Sequence, residues 1–179
     1  MNYLERLNTE SLILRPFSLA DYEAVHSWAS NPENVRYMSF EPSGEDETKN
    51  FITTTKLGKD FIIALKDTGK VIGSCGIYPN DVKKSASLGW ILHMDYWQQG
   101  YGTEICRELI RYGFEDLNLR RIYAYCAAAN HASYKIMERN GMRREALHIK
   151  SHWSKVDKEW VDDAVYAILA DEYRGSALL

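Results

Sequence analysis

One segment constrains the fold more than any other. Ser85 to His93 reads as a strand, Trp97-Gln98-Gln99-Gly100-Tyr101-Gly102 follows, and then Ile105, Leu109, Ile110, Phe114 and Leu117 recur at helical spacing. A strand that enters a helix through a glycine-bearing turn leaves backbone N–H groups without partners and aims the positive end of the helix dipole outward. The turn is therefore a candidate anion site. Gly100 and Gly102 would let a phosphate approach the backbone, and Tyr101 to Glu104 would supply the donors. A Walker loop would need GK[ST], which is absent, and a dinucleotide fingerprint would need a third glycine where Ile105 stands.

The rest of the chain sets this turn in an α/β pattern. Leu12 to Arg15 reads as a strand, and Ser18 with Asp21 forms a capping box that opens a helix with Leu19, Tyr22, Val25 and Trp28 on its apolar side. Asn31-Pro32 should end it. A polar helix is expected over residues 45–57, and Phe61 to Leu65 and Val71 to Tyr78 form a hairpin through Asp67-Thr68-Gly69-Lys70. Ile122 to Ala127 is a further strand. A helix from His131 to Arg139 should stop at Asn140-Gly141, and strands over residues 143–153 and 160–169 close the pattern. The expected fold class is α/β (α+β), with a mixed, mostly antiparallel central sheet of about six to seven strands and helices on both faces.

With 179 residues, 45% of them hydrophobic, and no repeat or low-complexity linker, the chain reads as one domain, residues 1–179. No apolar run approaches the roughly 20 residues of a membrane helix, so no membrane partner is expected. Met1 to Arg15 carries Glu5, Arg6 and Glu10 and does not read as a signal peptide, which leads to a cytoplasmic expectation. Cys75, Cys106 and Cys126 are odd in number and far apart, which suits buried, reduced thiols better than a disulfide framework or a metal knuckle. The five histidines show no ligand spacing, so no metal is expected. A net charge of −3 gives the chain no electrostatic reason to bind nucleic acid directly. Residues 61–160 are net basic and the first 60 net acidic, which favours an anionic ligand in the middle of the chain. Monomer and homodimer both remain open.

The stretch from Leu88 through Trp97-Gln98-Gln99-Gly100-Tyr101-Gly102-Thr103-Glu104 resembles the acyl-CoA-binding segment of the GNAT superfamily of N-acetyltransferases, most of all its ribosomal-protein (Rim-type) branch. Leu12-Ile13-Leu14-Arg15-Pro16, Asn130-His131-Ala132-Ser133 and Glu138-Arg139-Asn140-Gly141-Met142 match as well, so the likeness runs from about residue 9 to 173. The resemblance implies a GNAT fold with acetyl-CoA as cosubstrate. It implies that the amides of Gln98, Gln99, Gly100, Tyr101, Gly102 and Thr103 bind the pyrophosphate. The strand ending in Ile91 and Leu92 would join the pantetheine amides, and Asn130 and Ser133 would face the cofactor from the next helix. The family pattern opens with Gln or Arg where this chain has Trp97. Ser87 stands where many relatives carry an acidic residue, and Met137 where many carry a tyrosine acid.

The resemblance implies attack of an amine on the acetyl thioester, and the amine must first be neutral. Deprotonating a free lysine at pH 7 costs about 4.6 kcal/mol, and an α-amine only about 1–1.4 kcal/mol. A chain with Ser87 in place of that acidic residue is thus more easily reconciled with an α-amine acceptor on a protein or peptide, or with a base relayed through water. A small amine such as an aminoglycoside or polyamine is the alternative within enzymes, and a non-catalytic acyl-CoA-binding module the alternative outside them. Ser133 matches a serine that some Rim-like relatives use as the acid for the leaving thiolate. The tetrahedral oxyanion would rest on a backbone N–H near Leu92. His152, on the late strand, is the candidate base, with Glu145, His148 and His93 as rivals.

Overall fold

The computed structural model describes residues 5–80, 82 and 84–175. Strands β1 (Leu7–Asn8), β2 (Leu12–Arg15), β3 (Asp60–Leu65), β4 (Val71–Asn80), β5 (Ser85–Leu92), β6 (Arg121–Ala127), β7 (Arg143–Ser154) and β8 (Glu159–Leu169) make one sheet, ordered β1-β2-β3-β4-β5-β6-β8-β7. Every neighbouring pair is antiparallel except β5–β6, which a helical crossover makes parallel. The sheet has one or two strands more than expected. The two-residue β1 is too short to leave a periodic signal, and it pairs with β2 through Leu7–Leu14 and Asn8–Ile13.

Helices α1 (Tyr22–Ala29), α2 (Pro32–Val35) and α3 (Glu45–Thr54) lie on one face of the sheet, and α4 (Tyr101–Arg111) and α5 (His131–Arg139) on the other. The alternation of the strands accounts for two cores. Under α4 and α5, Phe61, Ile63, Ile77, Ala86, Leu88, Ile122, Ala124 and Ile168 meet Ile105, Leu109 and Met137. Under α1 to α3, Ile62 and Ile91 meet Val25, Trp28, Val35 and Ile52. The apolar stripe of α4 includes Cys106, and its end widens into a π-turn over Tyr112–Asp116. Gly113 lies in that turn, where a Cβ would stand 2.5 Å from Ile122 Cδ1, so the backbone approaches β6 closely. No helix of the described residues is long and apolar enough to cross a membrane.

Local chemistry sets most boundaries. Ser18 Oγ accepts from Ala20 N at 3.2 Å and Asp21 Oδ2 from Ser18 N at 2.9 Å, completing the capping box. Asp21 also accepts from both terminal nitrogens of Arg15, at 2.9 and 2.6 Å, which ties β2 to the start of α1. The helix nevertheless opens with a tighter 3-10 turn at Leu19–Asp21. That turn rotates Leu19 off the apolar side, leaving it 60% exposed while Val25 and Trp28 are buried. Asn31 ends α1 as expected but then starts α2, its side chain accepting from Glu33 N at 2.9 Å with Pro32 in the first turn. The polar helix α3 stops at Thr54, short of residue 57. Gly141, with φ 77°, closes α5, and Met142 N reaches back to Met137 O at 3.1 Å.

All three cysteines are buried and free. Burial pushes their thiols up, Cys106 to about 12 and Cys126 to about 11.

Gly73 on β4 lies opposite Leu92 on β5, and a Cβ there would stand 2.2 Å from Ile91 O and 3.0 Å from Leu92 Cα. Both obstacles are backbone atoms of a strand held on its other face by the Ile91 side chain, so neither gives way cheaply. Gly73→Ala should therefore destabilise the fold by about 1–3 kcal/mol, read as a lower urea midpoint with an unchanged slope.

Candidate active site

The site begins as a defect in the sheet. β5 and β6 pair only over Ser85–Arg121, Ala86–Ile122, Ser87–Tyr123 and Leu88–Ala124; from Gly89 and Tyr125 onward they part. His93 N donates to Ile72 O at 2.8 Å, and the register carries that alternation back so that Ile91 and Gly89 spend their backbone groups on Ser74 and Gly76 of β4. The backbone groups of Trp90 and Leu92 then face the gap. Of the expected pair, Leu92 rather than Ile91 presents a donor there, and the Ile91 side chain belongs to the core under α1 to α3.

The Leu92 carbonyl is already saturated. Asn34 Nδ2 donates to it at 2.6 Å and the Trp97 indole at 2.8 Å. The chain then passes through a 3-10 turn at Met94–Tyr96, capped by His93 Nδ1, which accepts from Asp95 N at 3.2 Å. Gln98 (φ 60°) and Gly100 (φ 87°) both take left-handed backbone to enter α4. Gly100 O accepts from Thr103 N at 3.0 Å and Glu104 N at 3.2 Å, so these two amides are not free, contrary to the expectation for Thr103 and Glu104. The amides of Gln98, Gln99, Gly100, Tyr101 and Gly102 bond to nothing among the described residues and converge at the positive end of α4. Thr103 retains its hydroxyl, and Gln99 uses its side chain to reach Asp95 O at 2.8 Å.

The two glycines of the turn do different things. A Cβ on Gly100 would meet nothing within 4 Å, so its surroundings are open to an approaching anion and its value lies in its φ. A Cβ on Gly102 would stand 2.5 Å from Ile136 Cδ1, so that glycine lets α5 pack closely on α4. The helix pair is further tied by Asn140 Nδ2, which donates to Thr103 O at 3.2 Å. At the mouth of α5, Asn130 Oδ1 accepts from Ser133 N at 3.1 Å as a helix cap. The half-buried Ser133 keeps a hydroxyl with no hydrogen-bond partner among the described residues.

His152 is on the opposite face. It pairs with Val161 in register and its Nδ1 lies 3.6 Å from Asp163 Oδ1, while Ala164, Tyr166 and Ile168 of β8 turn toward α5. Ser133 and His152 thus lie on opposite faces of the sheet. Asp163 also accepts from Ser151 Oγ at 3.1 Å and is in register with His148. Two of the rivals of His152, Glu145 and His93, are otherwise engaged, while the exposed His148 has no side-chain hydrogen bond among the described residues. Arg121 donates to Glu145 at 2.9 Å and holds its carboxyl below the usual carboxylate range, with Arg143 adding to the effect. His93 is spent on its cap, and it lines a separate cavity of about 300 Å³ with Asp21, Lys70 and Tyr96.

On that same face, where the strands part, the Tyr78 ring folds across the paired Gly76 and Gly89 to donate to Asp60 Oδ1 at 2.9 Å. Partial desolvation, together with the neighbouring Asp60 carboxylate, raises the phenol above its ordinary range. Asn34, Asp163 and Tyr78 were not expected as site residues. Each reaches the site only through strand pairing or a helix of four residues, and neither leaves a local pattern.

The Acetyltransferase (GNAT) domain family matches residues 11–143. The N-acetyltransferase YnaD of Bacillus subtilis (strain 168) is 31% identical over 169 residues, 93% of this chain and 98% of its own. The crystal structure of a GNAT-family acetyltransferase from Bacillus anthracis superposes with a TM-score of 0.86 at 31% identity, over 93% of this chain and 99% of that one. RimL, the ribosomal L7/L12 alpha-N-protein acetyltransferase in complex with coenzyme A, shares the fold with a TM-score of 0.82 at 18% identity, over 94% of this chain and 100% of that one. A split sheet beside an open turn of amides, in a chain matched along most of its length, identifies an acetyl-CoA-dependent N-acetyltransferase of the GNAT family.

Proposed function

We propose that this enzyme acetylates the α-amine of a protein or peptide in the cytoplasm. The observation that carries the reading is the continuity between the unpaired edge at Trp90 and Leu92 and the free amides from Gln98 to Gly102. An extended amide chain can join such an edge, and a diphosphate suits the turn beyond it. Acetyl-CoA supplies the activated thioester. The chain's own groups do the rest: the Leu92 N–H is aimed to stabilise negative charge developing on the carbonyl oxygen. The Ser133 hydroxyl, without a hydrogen-bond partner among the described residues, donates a proton to the departing sulfur. His152, oriented by Asp163, takes the proton that the amine loses as its nitrogen bonds to the acetyl carbon.

Two observations favour an α-amine. Ser87 on β5 stands where many relatives carry an acidic residue, so no carboxylate at that position strips a proton from a lysine. RimL, whose fold is shared, acts on a protein α-amine. Three buried, free thiols suit a reducing compartment.

A panel of N-terminal peptides, lysine peptides, aminoglycosides and polyamines, offered with acetyl-CoA, tests the acceptor class. Peptides acetylated at the α-nitrogen are expected. Preferred turnover of a small amine would replace the reading, and tight binding of acetyl-CoA without thiol release on any amine would reduce the chain to a binding module. Ser133→Ala should lower turnover by about 10²-fold while calorimetry finds acetyl-CoA affinity unchanged. His152→Ala should lower turnover by about 10²-fold with acetyl-CoA affinity unchanged by calorimetry; unaltered turnover would shift the base to another group.

A further inference from the structure

The four-residue helix α2 makes more bonds to distant parts of the site than its length suggests. Asn34, 7% exposed, donates from Nδ2 to Leu92 O at 2.6 Å and accepts at Oδ1 from Met94 N at 3.2 Å. This pairing fixes the amide orientation, because a flipped side chain would set oxygen against oxygen and nitrogen against nitrogen. The two bonds clamp the last carbonyl of β5 and the first amide of the following turn to one planar group. Two residues further on, Arg36 binds Asp157 at 3.1 Å, in the turn between β7 and β8, and Val156 of that turn packs against the core beneath α1 to α3. One helix therefore links the cofactor strand to the hairpin that carries His152 and Asp163.

The saturation of the Leu92 carbonyl has a chemical consequence. A strand edge normally offers alternating donors and acceptors to an incoming extended chain. With Asn34 and Trp97 filling both lone pairs, the Leu92 residue can offer only its N–H. The strand end also cannot swing toward β6 to close the gap without breaking the buried Asn34 bonds. An unmade bond at a buried amide costs about 1–3 kcal/mol.

We propose that Asn34 is a positioning residue for acetyl transfer: from α2 it holds the end of β5 so that the Leu92 N–H stays aimed into the gap. The inference rests on the transferase reading above and adds to it a residue that touches neither reactant.

The test uses the full chain, acetyl-CoA labelled at the carbonyl carbon, and infrared spectroscopy of the bound thioester. In the unsubstituted protein the carbonyl stretch should move to lower frequency on binding, as a donor polarises it. Asn34→Asp keeps the acceptor for Met94 N but sets a charge against the Leu92 carbonyl. Asn34→Leu removes both bonds at similar volume, and the Asp variant keeps the question open to measurement if the Leu variant does not fold. Either variant should lose most of the frequency shift and at least about tenfold in kcat, short of the roughly 10²–10³-fold that deleting an oxyanion donor costs. KM for acetyl-CoA should hold within about threefold, a change worth less than 1 kcal/mol. A full shift and unchanged kcat in Asn34→Asp would overturn the role, as would weaker acetyl-CoA binding with the bound carbonyl unaltered, the mark of a purely structural contact. Failure of the unsubstituted protein to bind acetyl-CoA would overturn the transferase reading itself, a different outcome.

Discussion

The whole arrangement depends on β5 and β6 being parallel neighbours that stop pairing after Leu88 and Ala124. In a continuous sheet the groups of Trp90 and Leu92 would be consumed by the next strand. Their release leaves backbone donors and acceptors unpaired in the middle of the sheet, which is costly unless a ligand or water takes them up. The sheet tolerates the break because each strand is secured on its other side. β5 is paired with β4 along its length, and β6 with β8 from Arg121 to Ala127. Helices on both faces then stop the two halves from drifting together.

The α4 turn extends the same principle from strand to helix. Gly100 O takes up the amides of Thr103 and Glu104, which starts the helix, and the five amides before them remain open. Glu104 contributes from the side, accepting from Ser11 N at 2.7 Å and anchoring the first turn of α4 to the chain that leads into β2. The donors are thus held by groups that are themselves fixed, a prerequisite for binding without loss of loop entropy.

Much of this was legible in the sequence where the signal is local. The limits of β2 and α5, the capping box at Ser18 and Asp21, and the strand–turn–helix around Gly100 all follow from residue periodicity and turn chemistry. Long-range pairing was not legible. Nothing near Asn34 announces that its side chain will meet Leu92 and Met94, some sixty residues away. Asp163 reads as one polar residue among many until β7 pairs with β8 and brings it to His152. Why a glycine stands at position 102 was not legible for a related reason: the close neighbour that excludes a side chain there is Ile136 of another helix.

The burial of Cys75, Cys106 and Cys126 bears on how the enzyme can be watched at work. Thiolate, not thiol, attacks electrophilic dyes, and burial holds all three of these side chains in the unreactive form at neutral pH. A chromogenic disulfide added to a running reaction would therefore respond to coenzyme A alone, so each turnover could be counted continuously against a silent protein background.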